Sequence, residues 1–201
     1  MKTGQEAELY TIGHSNHSWE KFLTLLEEGH IEVLVDVRSS PFSRYATHFN
    51  KDILAKSLSR AGIKYLYLGD TLGGRPETEE VYDEEGHVYY DRMEKSIQFQ
   101  EGINRLLKGA RSYRVALLCG EEDPAKCHRR LLIGKVLIKR GVRIIHIRGN
   151  GRLQSEEELT AEEDYQKHKG QMNLFAGQEV KEWKSTPSVS PKKARRSSLK
   201  S

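Results

Sequence analysis

Cysteine is scarce in this sequence, and long apolar stretches are missing from it. The 201 residues include two cysteines, which are too few for a disulfide framework. No run reaches the roughly 18 apolar residues that a membrane-spanning helix needs, so we expect no membrane segment. The first 15 residues lack the apolar core of a secretory signal. We therefore expect a cytoplasmic protein with reduced thiols.

Acidic residues are nearly absent from the end of the chain. Residues 181–201 contain seven Lys/Arg against one Glu, a local charge of +6, while the whole chain carries a formal charge of +4. The preceding residues therefore carry a net charge of −2, and the basic character belongs to the tail. We expect a disordered basic tail that either solubilises the chain or makes salt-sensitive contact with nucleic acid.

Glycine-rich phosphate-binding motifs are also missing. Neither G-x-G-x-x-G nor G-x-x-x-x-G-K-[ST] follows any of the apolar runs, which excludes an ordinary dinucleotide site or P-loop. We predict no cofactor for this chain.

What the sequence does contain is a regular alternation of apolar runs and segments with helical periodicity. Strands are predicted at 8–14, 31–40, 63–69, 113–119 and 142–147, and helices at 18–30, 50–62, 93–110 and 124–141. Continuous apolar strands that end in polar loops are typical of a parallel sheet covered on both faces. We predict an α/β, Rossmann-like three-layer domain with a mostly parallel five-stranded sheet over residues 1–150, followed by a polar extension over 151–201.

Chemically active side chains follow several of these strands. In open α/β sheets, ligands bind beyond the carboxyl ends of the strands, so residues from distant segments meet at one edge. Each of them alone has an ordinary structural explanation, such as a cap or a surface cation, but their convergence predicts a site. The expected group is His14, Asp36, Arg38, Arg44, Arg75, Cys119, Glu121, Cys127, His128 and Arg129.

Both cysteines fall in the stretch LLCGEEDPAKCHRRLL, residues 117–132. Asp123 is a suitable N-cap and Pro124 fits the first helical position, which would place Cys127 and His128 in the first turns of a helix. The positive helix end and nearby arginines would then favour a thiolate at Cys127.

Three interpretations of this stretch stay open. A thiolate acts as nucleophile with His128 or His14 as its base. Alternatively, both cysteines and a histidine bind zinc, although C-x7-C-H is an unusual ligand spacing, and we predict no metal site. In the third interpretation the cysteines only pack, and the arginines and the histidine bind substrate.

The ordered motifs TIGHS, VLVDVRSSPFSR, HFN, LGGR and LLCGEEDPAKCHR resemble those of the family called domain of unknown function 488, over about residues 9–150. The resemblance implies a compact Rossmann-like domain of unassigned activity. The C…P…CHR arrangement is also similar to Rossmann-like families with N-glycosidic chemistry on nucleotides or nucleic acid. The recurrent positions of the family correspond to His14, Ser15, Asp36, Arg38, Arg44, Asn50, Gly73, Gly74, Arg75, Cys119, Glu121, Cys127, His128 and Arg129.

A short segment beyond the domain resembles a peptide with a known partner. QMNLF, residues 171–175, is similar to the Q-L-[SD]-L-F peptide that attaches bacterial DNA enzymes to the sliding clamp. Gln171 would hydrogen-bond at the rim of the clamp's pocket, and Leu174 and Phe175 would fill it. The alternative is a segment that folds back on the domain itself.

From these features together we predict a hydrolase that acts on DNA or nucleotides. The specific hypothesis is a DNA-repair N-glycosidase activity. The alternatives are a thiol-dependent or zinc-binding enzyme and a non-enzymatic, DNA-associated binding module. The predicted catalytic residues are His14, Asp36, Glu121, Cys127 and His128. The predicted substrate-binding residues are Ser15, Arg38, Arg44, Asn50, Gly74, Arg75, Cys119 and Arg129, with Tyr45 and Phe49 as aromatic residues for stacking on a flipped base.

Overall fold

The computed structural model of the chain describes residues 7–168 and 182–185. One six-stranded sheet organises this part of the chain, in the order β3-β2-β4-β1-β5-β6. The first five strands in that order are parallel, and β6 is antiparallel to β5. The strands are β1 (Glu8–Gly13), β2 (Val33–Asp36), β3 (Lys64–Tyr67), β4 (Val115–Cys119), β5 (Arg143–Ile147) and β6 (Leu153–Ser155).

Seven α-helices connect and cover the described strands. They are α1 (Trp19–Glu28), α2 (Lys51–Arg60), α3 (Gly69–Leu72), α4 (Tyr90–Lys95), α5 (Ile97–Ala110), α6 (Lys135–Lys139) and α7 (Glu156–His168). The oxygen of Ser18 accepts a hydrogen bond from the backbone N–H of Lys21 and caps the N-terminus of α1.

The sheet is apolar on both faces, as the continuous apolar strands predict. In β4, Leu117 packs into one buried cluster with Phe99 of α5, whereas the next residue, Leu118, packs into the other with Phe22 of α1. Successive side chains of a strand point to opposite faces, so every position of such a strand must be apolar. The mixed α/β class with a mostly parallel sheet is therefore confirmed.

The predicted number of five strands is wrong. The sixth strand, β6, has three residues and pairs with the end of β5. Its sequence, Leu-Gln-Ser, is too short and too polar to show a strand pattern. Its central Gln154 is buried but accepts a hydrogen bond from Nη1 of Arg148 at 2.8 Å, which compensates for burying the amide.

The predicted helix over 124–141 is also wrong at its start. Pro124–Lys126 forms a single 3₁₀ turn capped by Asp123, and Cys127 then leaves the helical path with φ −120° and ψ 138°. A π-helix follows at Arg129–Gly134 before α6 begins. Cys127 therefore precedes the helical segment instead of lying in its first turn. The predicted helix over 93–110 is divided at Ser96, whose side chain caps α5.

Residues 182–185 return to the domain. The backbone N–H of Tyr90 donates to the carbonyl of Trp183 at 2.9 Å, and the N–H of Ser185 donates to the carbonyl of Val88 at 2.8 Å. The clamp-like peptide at 171–175 and the basic tail beyond 185 lie outside the described residues. In the part of the chain that is described, no helix has the length and apolar character to cross a membrane.

Candidate functional site

A pocket of about 370 Å³ lies beyond the carboxyl ends of β1, β2 and β4. The strand register makes these ends coincide, because Gly13 pairs with Cys119 and Asp36 pairs with Leu118. This is the edge at which a parallel α/β sheet presents its ligand site. The lining residues are His14, Arg38, Ser39, Ser40, Phe42, Ser43, Gly74, Arg75, Cys119, Gly120, Glu121, Lys126, Cys127 and His128.

The structure brings together eight of the residues that the sequence points to, and it places five others away from the pocket lining. The eight are His14, Arg38, Gly74, Arg75, Cys119, Glu121, Cys127 and His128. The five are Ser15, Asp36, Arg44, Asn50 and Arg129.

Asp36 is fully buried and holds Arg38. One carboxylate oxygen, Oδ1, accepts from the backbone N–H of Arg38 at 3.1 Å and from its Nε at 2.9 Å. The other, Oδ2, accepts from Nη2 of Arg38 at 2.6 Å and from the hydroxyl of Tyr65 at 2.7 Å. Both oxygens are therefore engaged, and Asp36 acts on the pocket through the position of Arg38.

The hydrogen bonds of His14 determine its tautomer. Its Nδ1 lies 2.7 Å from the carbonyl oxygen of Ser15 and can only donate to it, so Nε2 accepts from Nη1 of Arg38 at 3.1 Å. Burial, reinforced by the charge of Arg38, lowers the pKa of His14 to about 4. His14 is thus a neutral side chain that fixes the guanidinium at the edge of the pocket.

Both free cysteines face the same histidine nitrogen. The Sγ atoms of Cys119 and Cys127 lie 3.7 Å and 3.8 Å from Nδ1 of His128. The other ring nitrogen, Nε2, donates to the carbonyl oxygen of Val37 at 3.0 Å, which leaves the lone pair of Nδ1 pointing at the two sulfurs. All three side chains are buried at the base of the pocket.

The pKa shifts of the two thiols favour Cys119 over Cys127 as the thiolate, which is the reverse of the prediction. The hydrogen bond from Cys127, helped by Arg129 and by backbone N–H groups of Gly120 and Glu121, lowers the pKa of Cys119 to about 6. Burial and the hydrogen bond to Cys119 raise the pKa of Cys127 to about 12. Cys127 immediately precedes a helical segment, and its carbonyl oxygen accepts from the N–H groups of Arg130 and Leu131, but its thiol is buried, and burial disfavours the charged form.

Arg129 supports the loop that carries Glu121 and does not line the pocket. Its Nη1 donates to the carbonyl oxygen of Glu121 and its Nη2 to that of Glu122, while Nε donates to the hydroxyl of Thr11 at 3.3 Å. The loop lies directly on Gly13, where an added Cβ would come within 2.0 Å of the Glu121 carbonyl oxygen. Glu121 is exposed and is one of the residues that line the pocket.

The segment after β2 supplies residues that the sequence-based prediction of the site missed. Ser39, Ser40, Phe42 and Ser43 line the pocket, and Phe42 is 68% exposed. The motif RSSPFSR that carries them is visible in the sequence, but its two arginines are the residues whose charge points to a ligand. Lys126, on the 3₁₀ turn, also lines the pocket.

The aromatic residues proposed to stack on a base lie in very different environments. Phe49 is completely buried and stacks on His14 at a centroid distance of 4.3 Å, so its prediction as a stacking residue for substrate is wrong. Tyr45 is fully exposed but does not line the pocket. The exposed ring at the pocket is Phe42.

The remaining predicted residues shape the surrounding loops. Asn50 Oδ1 accepts from the backbone N–H of Ser43 at 2.6 Å, which closes the loop that presents Phe42. Ser15 adopts a positive φ of 45° and donates its N–H to the carbonyl of Gly120 at 2.9 Å. Arg44 is exposed.

The chain has a recognisable likeness to one protein family. A family model described as "Domain of unknown function DUF488" matches residues 18–136, which is more than half of the chain. No curated protein and no solved structure matches the chain significantly.

Proposed function

The chain belongs to the DUF488 family of unknown function, and from that premise we propose that it is an enzyme that processes nucleotides or nucleic acid in the pocket described above. The proposal includes a Rossmann-like three-layer fold, which is supported by five parallel strands, apolar clusters on both faces and a site at the carboxyl ends of the strands. A cytoplasmic location is part of the same proposal.

The observation that carries this proposal is the combination of groups around one pocket. Arg38, Arg75 and Lys126 supply positive charge for phosphate, and Phe42 offers an exposed ring for stacking on a base. Glu121 adds a carboxylate in the same space. Cation, aromatic ring and carboxylate together suit the three parts of a nucleotide: phosphate, base and sugar.

The reaction we propose is hydrolysis of an N-glycosidic bond. The oxygen of a water molecule bonds to the anomeric carbon as the carbon–nitrogen bond breaks, and the electron pair of that bond leaves with the base, which takes a proton from solvent. Glu121 accepts the proton of the attacking water and stabilises the positive charge on the sugar. Of the two carboxylates that the sequence points to, Glu121 suits this role because Asp36 is fully occupied by Arg38 and Tyr65.

The test is a base-release assay with free nucleotides and with oligonucleotides that contain damaged or modified bases. Glu121→Gln should lower kcat by about 100-fold or more while leaving the unfolding midpoint unchanged. Glu101→Gln, at an exposed position on α5, is the matched control and should behave like the unmodified chain. Absence of base release from every substrate, or equal rates for both variants, would reject the proposal.

A thiol-dependent enzyme is the second candidate, and one observation favours it. The sulfur of Cys119 lines the pocket and lies 3.7 Å from a histidine nitrogen that has no proton of its own. Rapid, single-site alkylation of Cys119 that abolishes turnover would support this candidate. Slow labelling of both thiols with turnover intact would remove it.

A partner is proposed separately from the chemistry. Gln171, Leu174 and Phe175 would attach the chain to the DNA sliding clamp, which would hold the enzyme near DNA. The measurement is clamp binding by the full chain and by Leu174→Ala/Phe175→Ala. Equal affinity of the two would reject this partner.

A further inference from the structure

We propose that Cys119, Cys127 and His128 bind a zinc ion whose fourth coordination position opens into the pocket. The metal site stands on geometry alone. Only its use, the activation of water for hydrolysis, rests on the proposed function.

The distances between the donor atoms fit such an ion. Sγ of Cys119, Sγ of Cys127 and Nδ1 of His128 all lie within 4.8 Å of one another. The two sulfur–nitrogen distances are 3.7 Å and 3.8 Å. Tetrahedral zinc with Zn–S of about 2.3 Å and Zn–N of about 2.0 Å separates sulfur from nitrogen by about 3.6 Å. Shifts of a few tenths of an ångström would therefore complete the coordination.

The histidine is oriented as a metal ligand. A metal-binding histidine usually donates its second N–H to a carbonyl or carboxylate, which fixes the ring and leaves the other nitrogen free to coordinate. Nε2 of His128 donates to the carbonyl oxygen of Val37 at 3.0 Å, and Nδ1 is directed at the two sulfurs. Gly74 lies against the ring, where an added Cβ would be 2.7 Å from Cγ, so the ring has little room to rotate.

The local backbone brings two adjacent ligands to one point. Cys127 is extended, with φ −120° and ψ 138°, and His128 has φ −59° and ψ −24°. This break between a 3₁₀ turn and a π-helix lets consecutive side chains approach Cys119 at the end of β4. A helix through 124–141 would direct them about 100° apart. π-Helical segments often occur at functional sites.

Three protein ligands with an open position are typical of catalytic zinc, whereas structural sites usually have four protein ligands. All three donors line the pocket, together with the exposed carboxylate of Glu121. Two thiolates and one neutral imidazole would balance the charge of Zn²⁺. A water molecule in the open position would be activated for attack, with Glu121 available to take its proton.

The experiment measures metal content in the full chain, purified without a histidine tag. Zinc should be present at about one ion per chain, and the metal-free chain should recover it from added Zn²⁺. Added Co²⁺ should give the intense visible bands of a tetrahedral site together with thiolate-to-cobalt charge transfer. Both thiols should resist a thiol reagent until a chelator removes the metal.

Variants identify the ligands. Loss of a residue that only hydrogen-bonds to a metal ligand typically lowers metal affinity by about 10- to 100-fold. We expect a larger loss of zinc affinity in each of the three ligand variants, Cys119→Ser, Cys127→Ser and His128→Gln. His87→Gln is the matched control, because His87 belongs to a separate cluster with Asp83 and Glu85, and it should retain full zinc. Circular dichroism of each variant tests folding. If the cysteine variants fail to fold, the cobalt spectrum of the unmodified chain decides the proposal.

Several outcomes would overturn the metal site. These are a reconstituted chain with no bound zinc and two reactive thiols, a Cys119–Cys127 disulfide in place of metal, or zinc lost in His87→Gln but kept in Cys119→Ser. Zinc without base release would reject the proposed function and leave the metal site intact. Base release by a zinc-free chain would support the proposed function and reject the use of the metal in it.

Discussion

Asp36 and Arg38 are separated by one residue at the end of β2, and their contacts assign them different roles. Asp36 is fully buried, and its carboxylate accepts hydrogen bonds from Arg38 and Tyr65. The position of Arg38 links this carboxylate to the pocket, because Arg38 contacts Nε2 of His14 and lines the pocket. The carboxylate is therefore a positioning residue, and the guanidinium is the group that we propose a substrate meets.

Asp36→Asn should destabilise the chain by about 3–5 kcal/mol, because it leaves the buried charge of Arg38 without its counter-ion. Tyr65→Phe removes one hydrogen bond to the same carboxylate and should cost about 1.5–3 kcal/mol. Urea unfolding measures both. Arg44→Ala, at an exposed position, is the control and should stay within about 0.5 kcal/mol. An Asp36→Asn variant as stable as the control would contradict this role.

Two glycines provide a second contrast at the scale of single residues. Gly74→Ala should destabilise by about 1–3 kcal/mol, because the new Cβ would meet the His128 ring at 2.7 Å. Gly109→Ala lies within α5, where nothing comes within 4 Å of an added Cβ, and should stabilise by about 0.5–1 kcal/mol. Thermal unfolding of both variants gives the comparison. A Gly74→Ala variant at least as stable as the unmodified chain would mean that the close approach at Gly74 is not limiting.

Among the elements, α7 shows how a polar helix is held against the sheet. Glu156 at its start accepts from Nε of Arg130 at 2.8 Å and lies 2.9 Å from Nε2 of the buried His146 in β5. Arg130 also reaches Glu163 at 2.8 Å. Leu159 is the buried apolar residue of the helix. Ion pairs and hydrogen bonds therefore contribute much of the attachment of α7.

This network should make the fold sensitive to acid. Burial lowers the pKa of His146 below its ordinary 6.5. Burial alone would raise the pKa of Glu156, but His146 and Arg130 outweigh it and lower that pKa below 4.5. As the pH falls, both groups therefore take up a proton at a higher pH in the unfolded chain than in the folded chain. The free energy of unfolding should fall as the pH drops below about 6.5 and should fall further below about 4.5.

The measurement is the free energy of unfolding against pH for the unmodified chain and for His146→Gln. The variant should lose less stability than the unmodified chain between pH 6.5 and 5. Part of the decline should persist, because the pKa of His14 is also lowered, to about 4. Identical slopes for the two chains would show that His146 does not carry this dependence.

For the whole molecule, the chain after α7 contributes in two different ways. Residues 182–185 add backbone hydrogen bonds to Val88 and Tyr90, and Nε1 of Trp183 donates to the carbonyl of Leu131 at 2.8 Å. Residues 186–201 carry five Lys/Arg and no acid. Residues 182–185 therefore contribute to the stability of the domain, whereas residues 186–201 are the segment proposed to contact nucleic acid.

Two shortened chains separate these contributions. Residues 1–185 should unfold at the same midpoint as the full chain but bind DNA more weakly. The slope of the logarithm of the DNA-binding constant against the logarithm of salt concentration should be shallower by about 1 for each phosphate that the tail neutralises in the full chain. Residues 1–168 should also lose about 2–3 kcal/mol of stability, because Trp183 and its hydrogen bonds are gone. Unchanged DNA affinity in the first shortened chain would rule out the tail as a DNA-binding segment.

Periodicity and apolar runs in the sequence were sufficient for the α/β class, the positions of the five parallel strands and the edge at which polar groups converge. These features follow from local rules, because a strand buried on both faces must be apolar throughout and its carboxyl end must turn polar. The family was also recognisable, since its motifs are contiguous in the chain.

The roles within the site needed the tertiary structure. Asp36 is buried away from the pocket, Phe49 is buried and stacks on His14, and Phe42 is exposed. The sequence pattern does not show which of these two phenylalanines is buried. Residues 153–155 form the strand β6 because they pair with the end of β5. Likewise, the extended turn at Cys127 places two sulfurs around one imidazole nitrogen. Such arrangements depend on contacts between segments distant in the chain, and local propensity does not encode those contacts.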